Sequence, residues 1–109
     1  MDDDVPGGLL GMAAQLKRLQ ENLRSAQAAL AEETVEASSG GGAVRIVMTG
    51  TQECREIRIA PHLLLEAEAG RLQELLQLAV NQAIHDSQAL AARRLGPLAG
   101  ALADPGRKG

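Results

Sequence analysis

The stretch GGGAVRIVMTGTQECREIRIAP, residues 40–61, decides the fold of this 109-residue chain. Apolar and polar side chains alternate over residues 43–49 and again over residues 55–59, as they do in strands that bury one face. A glycine run precedes the first strand, turn-forming residues separate the two, and a proline ends the second. The stretch therefore predicts a β-hairpin in which Ile57 and Ile59 point inward, towards a core.

The sequence on either side of this hairpin completes the fold. A weaker alternation over residues 32–39 predicts a third strand, and short loops between the strands favour an antiparallel meander. Residues 9–31 carry apolar side chains at alternate spacings of three and four, which is a coiled-coil pattern, and residues 66–95 carry one broad apolar face. We therefore expect an α+β fold in the order α-β-β-β-α, with Gly96 and Pro97 ending the second helix.

The length of the first helix indicates a homodimer. Twenty-three residues of helix span about 34 Å at about 1.5 Å per residue, which is longer than a small core requires. A domain of this size also buries a modest share of its surface, so a partner subunit would stabilise it. We expect one domain at residues 9–95, a flexible acidic arm at residues 1–8 and a flexible tail at residues 96–109.

Composition limits the ways in which the chain could bind nucleic acid. Aromatic residues make up 0% of the sequence, so no aromatic platform exists on which unpaired bases could stack. The formal charge is −3, from 11 Lys and Arg against 14 Asp and Glu, and Asp2, Asp3 and Asp4 account for the acidic surplus. Any binding of nucleic acid must therefore come from local basic patches.

The residue types needed for catalysis are sparse. Cys54 is the only cysteine, and neither His62 nor His85 is tied to it by a motif for nucleophilic catalysis. No pair of residues has the spacing of metal ligands, and no apolar run approaches the roughly 20 residues that span a bilayer. We expect a cytoplasmic protein that is not an enzyme, with no cofactor, metal, small-molecule substrate or membrane partner.

Basic side chains are the polar feature that stands out. Lys17, Arg18 and Arg24 lie within about 120° of one another around the first helix, on the side away from its leucines. Arg93 and Arg94 lie near the C-terminal end of the second helix. Each group has two interpretations. In the first, its residues are simply solvated and complement a helix dipole, and in the second they contact phosphates.

The order of these features resembles the YbaB/EbfC family of bacterial nucleoid-associated proteins. The resemblance covers residues 9–94 and rests on a leucine-rich helix, SGGGAVRI at residues 39–46, CREIRIAPHLL at residues 54–64 and AVNQA at residues 79–83. It implies a homodimer in which strands of both chains build the central sheet and long helices project like the arms of tweezers. It also implies binding of double-stranded DNA with little or modest sequence preference, in the nucleoid.

The resemblance gives the basic residues a role and leaves an alternative open. It implies DNA contacts by Lys17, Arg18 and Arg24, with Arg93 and Arg94 as further candidates. The family often opens with Gly, Lys and Met residues, whereas three aspartates open this chain and would repel phosphates, so we expect modest affinity. The alternative is a protein-interaction module whose leucine-rich helix engages another protein without DNA.

Overall fold

Two long helices and three short strands form the part of the chain that the computed structural model describes, residues 7–102. The predicted fold class and the order α-β-β-β-α are confirmed. The elements are α1 Gly7–Glu32, β1 Thr34–Ser39, β2 Val44–Thr49, β3 Cys54–Ile59 and α2 Ala69–Leu102, with short 3-10 turns at Gly40–Gly42, Pro61–Leu64 and Glu66–Glu68.

The three strands form an antiparallel sheet in the order β1-β2-β3. The connection between β1 and β2 runs through three glycines, all with positive φ, which is a conformation that side chains disfavour. In the second pairing, Val47 lies opposite Glu56 and Met48 lies opposite Cys54. Arg55 is therefore an extra residue in β3, and such a bulge redirects a side chain.

The core lies between α2 and the first two strands. Ala37, Val44 and Ile46 on the sheet are buried together with Ala79 and Ala83 of α2. The two alanines are four residues apart on one helix face, and their small size lets α2 lie close to the sheet. The helix contacts β1 and β2 and leaves β3 largely uncovered.

One consequence is that Ile57 is not buried. It lies opposite Ile46, on the sheet face that α2 covers elsewhere, yet its side chain is 51% exposed. The prediction that Ile57 packs in the core was therefore wrong for the single chain, because α2 does not reach β3. Ile59, at the other end of the strand, is half-buried and contacts the core.

The second helix also ends later than predicted. The sequence places its end at Gly96 and Pro97, but α2 continues to Leu102 with Pro97 inside it. Leu95 and Leu98 are both half-buried, so the apolar face continues across the Gly-Pro pair. Packing of this face outweighs the helix-breaking tendency of the proline.

The predicted arm and tail extend beyond the described part of the chain. Of the arm at residues 1–8, only Gly7 and Gly8 are described, and both are helical. Of the tail at residues 96–109, the described portion belongs to α2. Residues 1–6 and 103–109 lie outside the described residues.

Candidate nucleic-acid interface

Helix α1 is a projecting arm whose two halves have different surroundings. In its C-terminal half, Leu30 is buried and Leu23 is half-buried, and the helix contacts α2. In its N-terminal half, Leu9, Met12 and Leu16 are all more than half exposed. The molecule measures 78 Å along its longest axis and 15 Å along its shortest, as expected for helices that extend past a small sheet.

The three basic residues predicted on this arm share its solvent-exposed side. Lys17, Arg18 and Arg24 are all exposed. Among residues 7–102, the ion pairs of the structure involve four other arginines, so none of these three cations is in a described ion pair, although Glu21 lies between them around the helix. The structure thus provides an exposed cationic surface on α1, which we call the α1 basic face and define by these three residues.

The two basic residues predicted on α2 behave differently from each other. Arg93 is exposed. Arg94 binds Glu33, the residue after α1: its Nε donates to Oε1 at 2.8 Å and its Nη2 donates to Oε2. The structure therefore ties Arg94 to the C-terminal end of α1 and does not bring it into the α1 basic face.

The Glu33–Arg94 pair changes the acidity of both groups. The hydrogen bond from Arg94 lowers the pKa of Glu33 below its ordinary value, and the charges of Arg94 and Arg93 lower it further. The same hydrogen bond raises the pKa of Arg94. Both groups are therefore charged at neutral pH.

The C-terminal end of α1 is held by two further contacts. The N–H of Gly50 donates to the carbonyl oxygens of Leu30 and Glu33, both at 3.0 Å. Arg55, the extra residue of β3, donates from Nη2 to the carbonyl oxygen of Ala31 at 2.9 Å. A cation at this position complements the helix dipole and satisfies a carbonyl that lacks a partner within the helix.

Sequence reasoning missed the arginines of the sheet. Arg45 and Arg58 lie directly opposite each other on the face of the sheet away from the core. Each is paired with a glutamate, Arg45 with Glu36 at 3.1 Å and Arg58 with Glu56. The outward positions of the alternating strands were the signal that could have found them. Because each positive charge is balanced, this face presents no net basic patch.

Among the described residues, the cysteine and both histidines lie at the surface, and no candidate metal ligands come together. Cys54, His62 and His85 are all exposed. No group of three or more His, Cys, Asp or Glu residues between positions 7 and 102 is arranged to hold a metal ion. Over the same residues, no helix is long and apolar enough to cross a membrane.

These features define a small α+β chain with a projecting helical arm, an exposed basic face and an incompletely covered sheet. The profile of the YbaB/EbfC DNA-binding family matches residues 6–102. The chain belongs to this family, and the resemblance seen in the sequence is confirmed.

Named relatives support the assignment. A nucleoid-associated protein of Nocardia farcinica is 39% identical over 107 residues, covering 95% of this chain and 97% of the relative. A nucleoid-associated protein of Syntrophobacter fumaroxidans is 39% identical over 94 residues, covering 86% of each chain. The crystal structure of the uncharacterized protein HP0035 from Helicobacter pylori has the same fold, with a TM-score of 0.62, 22% identity and coverage of 84% of this chain and 91% of that chain.

Proposed function

We propose that this chain is a nucleoid-associated protein that binds double-stranded DNA as a homodimer, with little sequence preference. Membership of a DNA-binding family supports DNA as the ligand. The observation that carries the site is the α1 basic face, where three exposed cations have no described carboxylate partner. Cations placed in this way attract phosphates and release counterions from the duplex.

The chemistry of the face favours backbone contacts over base reading. Two arginines and a lysine on one helix face can bind phosphate oxygens, which carry no sequence information. The chain has no aromatic side chain for stacking on unpaired bases, which favours duplex over single-stranded DNA. Arg93 remains a candidate for a further phosphate contact, whereas Arg94 would have to release Glu33 to make one.

The uncovered surface of the sheet supports the homodimer. Five of the six residues of β3 are exposed, and one edge of this strand faces no other strand of the sheet. Ile57, Leu64 and Leu65 together expose apolar side chains in and just after β3. An open strand edge with exposed apolar groups is a surface that a second copy of the chain can cover.

A titration of mixed-sequence duplex DNA at two salt concentrations tests the function. The parent protein should bind, and replacing Lys17, Arg18 and Arg24 with Gln should weaken binding at both salt concentrations. The matched comparison replaces Lys17 and Arg18 with Gln in one variant and Arg45 and Arg71, two exposed arginines outside the face and outside β3, with Gln in the other, so that the net charge changes equally. An equal loss of DNA affinity in both variants would contradict a binding site on α1, because it would show that only the net charge matters.

The exposed stripe of Leu9, Met12 and Leu16 favours a second candidate function. An apolar stripe on a projecting helix can engage the helix of another protein. In that case the chain would be a protein-interaction module, without enzymatic activity, for which DNA plays no part. If the parent shows no duplex binding even at low salt, this second function replaces the first.

A further inference from the structure

A short segment at the C-terminal end of α1, residues 30–33, contacts several other elements, and we call it the root of α1. Leu30 is buried, and it packs so closely on Gly50 that a Cβ at Gly50 would lie 2.5 Å from Leu30 Cδ2. The N–H of Gly50 bonds to two carbonyl oxygens of the root. These contacts join the root to the turn after β2, and the C-terminal half of α1 also contacts α2.

Two arginines from other elements bind the same root. Arg55 is delivered by the bulge in β3 and bonds to the carbonyl oxygen of Ala31. Arg94 comes from α2 and makes two hydrogen bonds to the carboxylate of Glu33. A paired contact between a guanidinium and a carboxylate fixes orientation as well as distance. The root is thus held from the turn after β2, from β3 and from α2.

We propose that Arg94 and Arg55 are positioning residues, which fix the direction of α1 through Glu33 and the carbonyl of Ala31 instead of contacting DNA themselves. Their effect on DNA rests on the proposed function, because it acts through the α1 basic face. Their effect on the arm does not depend on DNA. The inference assigns different roles to two neighbouring arginines, since Arg93 is exposed and Arg94 is held by Glu33.

The length of α1 amplifies small rotations of its root. The helix has 26 residues. A rotation of about 5° at the root would move Lys17, which lies sixteen residues before Glu33, by about 2 Å, at a rise of about 1.5 Å per residue. That displacement is more than half of the axial rise of roughly 3.4 Å per phosphate along one DNA strand. In the proposed complex, contacts at the root would therefore affect how the cations of the arm align with phosphates.

The substitution Glu33→Gln distinguishes a positioning role of Arg94 from a direct contact between Arg94 and DNA. If Arg94 bound phosphate, Glu33→Gln would free it and remove a negative charge, and DNA binding would tighten. If Arg94 positions the arm, Glu33→Gln should weaken binding, by a factor of roughly two to five, as expected for a partly exposed ion pair. Arg94→Gln should have the same effect, and the two substitutions together should weaken binding no more than either alone.

Exchanging the two charged residues of the Glu33–Arg94 pair tests whether DNA affinity can be restored. The double variant Glu33→Arg with Arg94→Glu keeps the net charge and restores opposite charges between the two positions. It should recover part of the lost affinity. A phosphate contact by Arg94 predicts further loss, because this variant places a carboxylate on α2 where the cation was.

A distance measurement tests the arm without DNA. Spin labels at Ala14→Cys on α1 and Ser38→Cys on β1, both exposed positions, are introduced into a Cys54→Ser background. The labelled chain is refolded with an excess of unlabelled protein, so that distances within one chain dominate in a monomer or a dimer. Glu33→Gln, Arg94→Gln and Arg55→Gln should each broaden the distance distribution, and the exchanged pair should narrow it again.

The control variant is Glu36→Gln, which breaks an exposed glutamate–arginine pair on the sheet and changes the charge equally. It should leave the distance distribution unchanged. Distributions in Glu33→Gln and Arg94→Gln that match the parent would overturn the positioning role. Broadened distributions in a protein that binds no duplex would keep the positioning role and reject only the proposed function.

Discussion

Gly50 and Leu30 meet at the point where α1 leaves the body of the protein. The N–H of Gly50 donates to the carbonyl oxygen of Leu30 at 3.0 Å, and the Leu30 side chain fills the space next to the glycine Cα. Leu30 is 2% exposed. This close packing at the end of a 26-residue helix requires the absence of a side chain at one residue in a turn.

Gly50→Ala should therefore destabilise the fold. Its Cβ would lie 2.5 Å from Leu30 Cδ2 and 3.1 Å from the Leu30 carbonyl oxygen, so the helix backbone must shift along with the flexible end of the side chain. Overpacking of this kind typically costs about 1–3 kcal/mol in the free energy of unfolding. Urea denaturation of the two proteins measures the difference.

Gly70→Ala is the matched control for this substitution. Gly70 lies in α2, and a Cβ built there meets nothing within 4 Å. Alanine is favoured over glycine in a helix by about 0.5–1 kcal/mol, so this variant should be as stable as the parent or more stable. Equal unfolding midpoints for Gly50→Ala and Gly70→Ala would show that the close contact at Gly50 carries no cost.

The sequence predicted the parts of the fold that depend on local patterns. Alternation over β2 and β3 identified the hairpin, and the leucine spacing identified α1. The exposure of Ile57 could not be predicted in this way, because alternation shows which face a residue shares but not how far a helix covers that face. The helical state of Pro97 likewise depends on packing, which outweighed the local preference.

The candidate site likewise has one part that local sequence patterns predict and another part that they do not. The α1 basic face could be predicted from the sequence because it follows from helical spacing alone, and its role in DNA binding is still a prediction. The contact between Arg94 and Glu33 joins residues 61 positions apart, so no local pattern indicates it. The role of Arg55 follows from a bulge whose position depends on the pairing of two strands.

Ile57→Asp should leave the chain folded but monomeric. Ile57 is half exposed in the single chain, so a charge there can stay hydrated and should disturb the core little. In the proposed homodimer the same charge would be buried at the subunit interface without a partner, which is strongly unfavourable. Light scattering should give a dimer mass for the parent and a monomer mass for the variant.

This test has two controls, which are the circular dichroism of Ile57→Asp and a second substitution by aspartate outside β3. The helical signal of Ile57→Asp should match that of the parent. Gln52→Asp lies in the exposed turn before β3. It should fold, because Asp tolerates the positive φ found there, and it should stay dimeric, because it adds no charge to β3 itself. A variant that unfolds would show that Ile57 supports the single chain, and a parent that is monomeric at micromolar concentration would exclude the proposed dimer.

The carboxyl group of Glu33 should titrate at a lower pH than an exposed glutamate. The hydrogen bond from Arg94 lowers its pKa from an ordinary value of 4.5. Because the folded-state pKa is lowered, the ion pair stabilises the protein above the ordinary pKa and is lost as the pH falls through the lowered pKa. The position of α1 should therefore be independent of pH from 4.5 upwards, as far as this group controls it.

Carboxyl carbon chemical shifts followed by NMR through an acid titration measure this pKa directly. In Arg94→Gln the pKa of Glu33 should rise towards the ordinary value, because the hydrogen bond that lowers it most is removed. Arg45→Gln removes an arginine from the sheet and should leave the pKa of Glu33 unchanged. A Glu33 pKa that is the same in the parent and in Arg94→Gln would mean that the pair does not persist in solution.

The α1 basic face should determine how DNA affinity depends on salt. Each phosphate that a cation neutralises on duplex DNA contributes about 0.9 to the slope of log affinity against log salt. Replacing Lys17, Arg18 and Arg24 with Gln should therefore make the slope shallower by about 0.9 for each phosphate that is no longer bound, and by the same amount on unrelated sequences. Because phosphates carry no base information, the ratio of affinities between two sequences should stay constant. A triple variant that keeps the parent's slope would show that the phosphate-binding residues lie elsewhere than on α1. A loss of affinity for one DNA sequence alone would indicate that these residues contact bases instead.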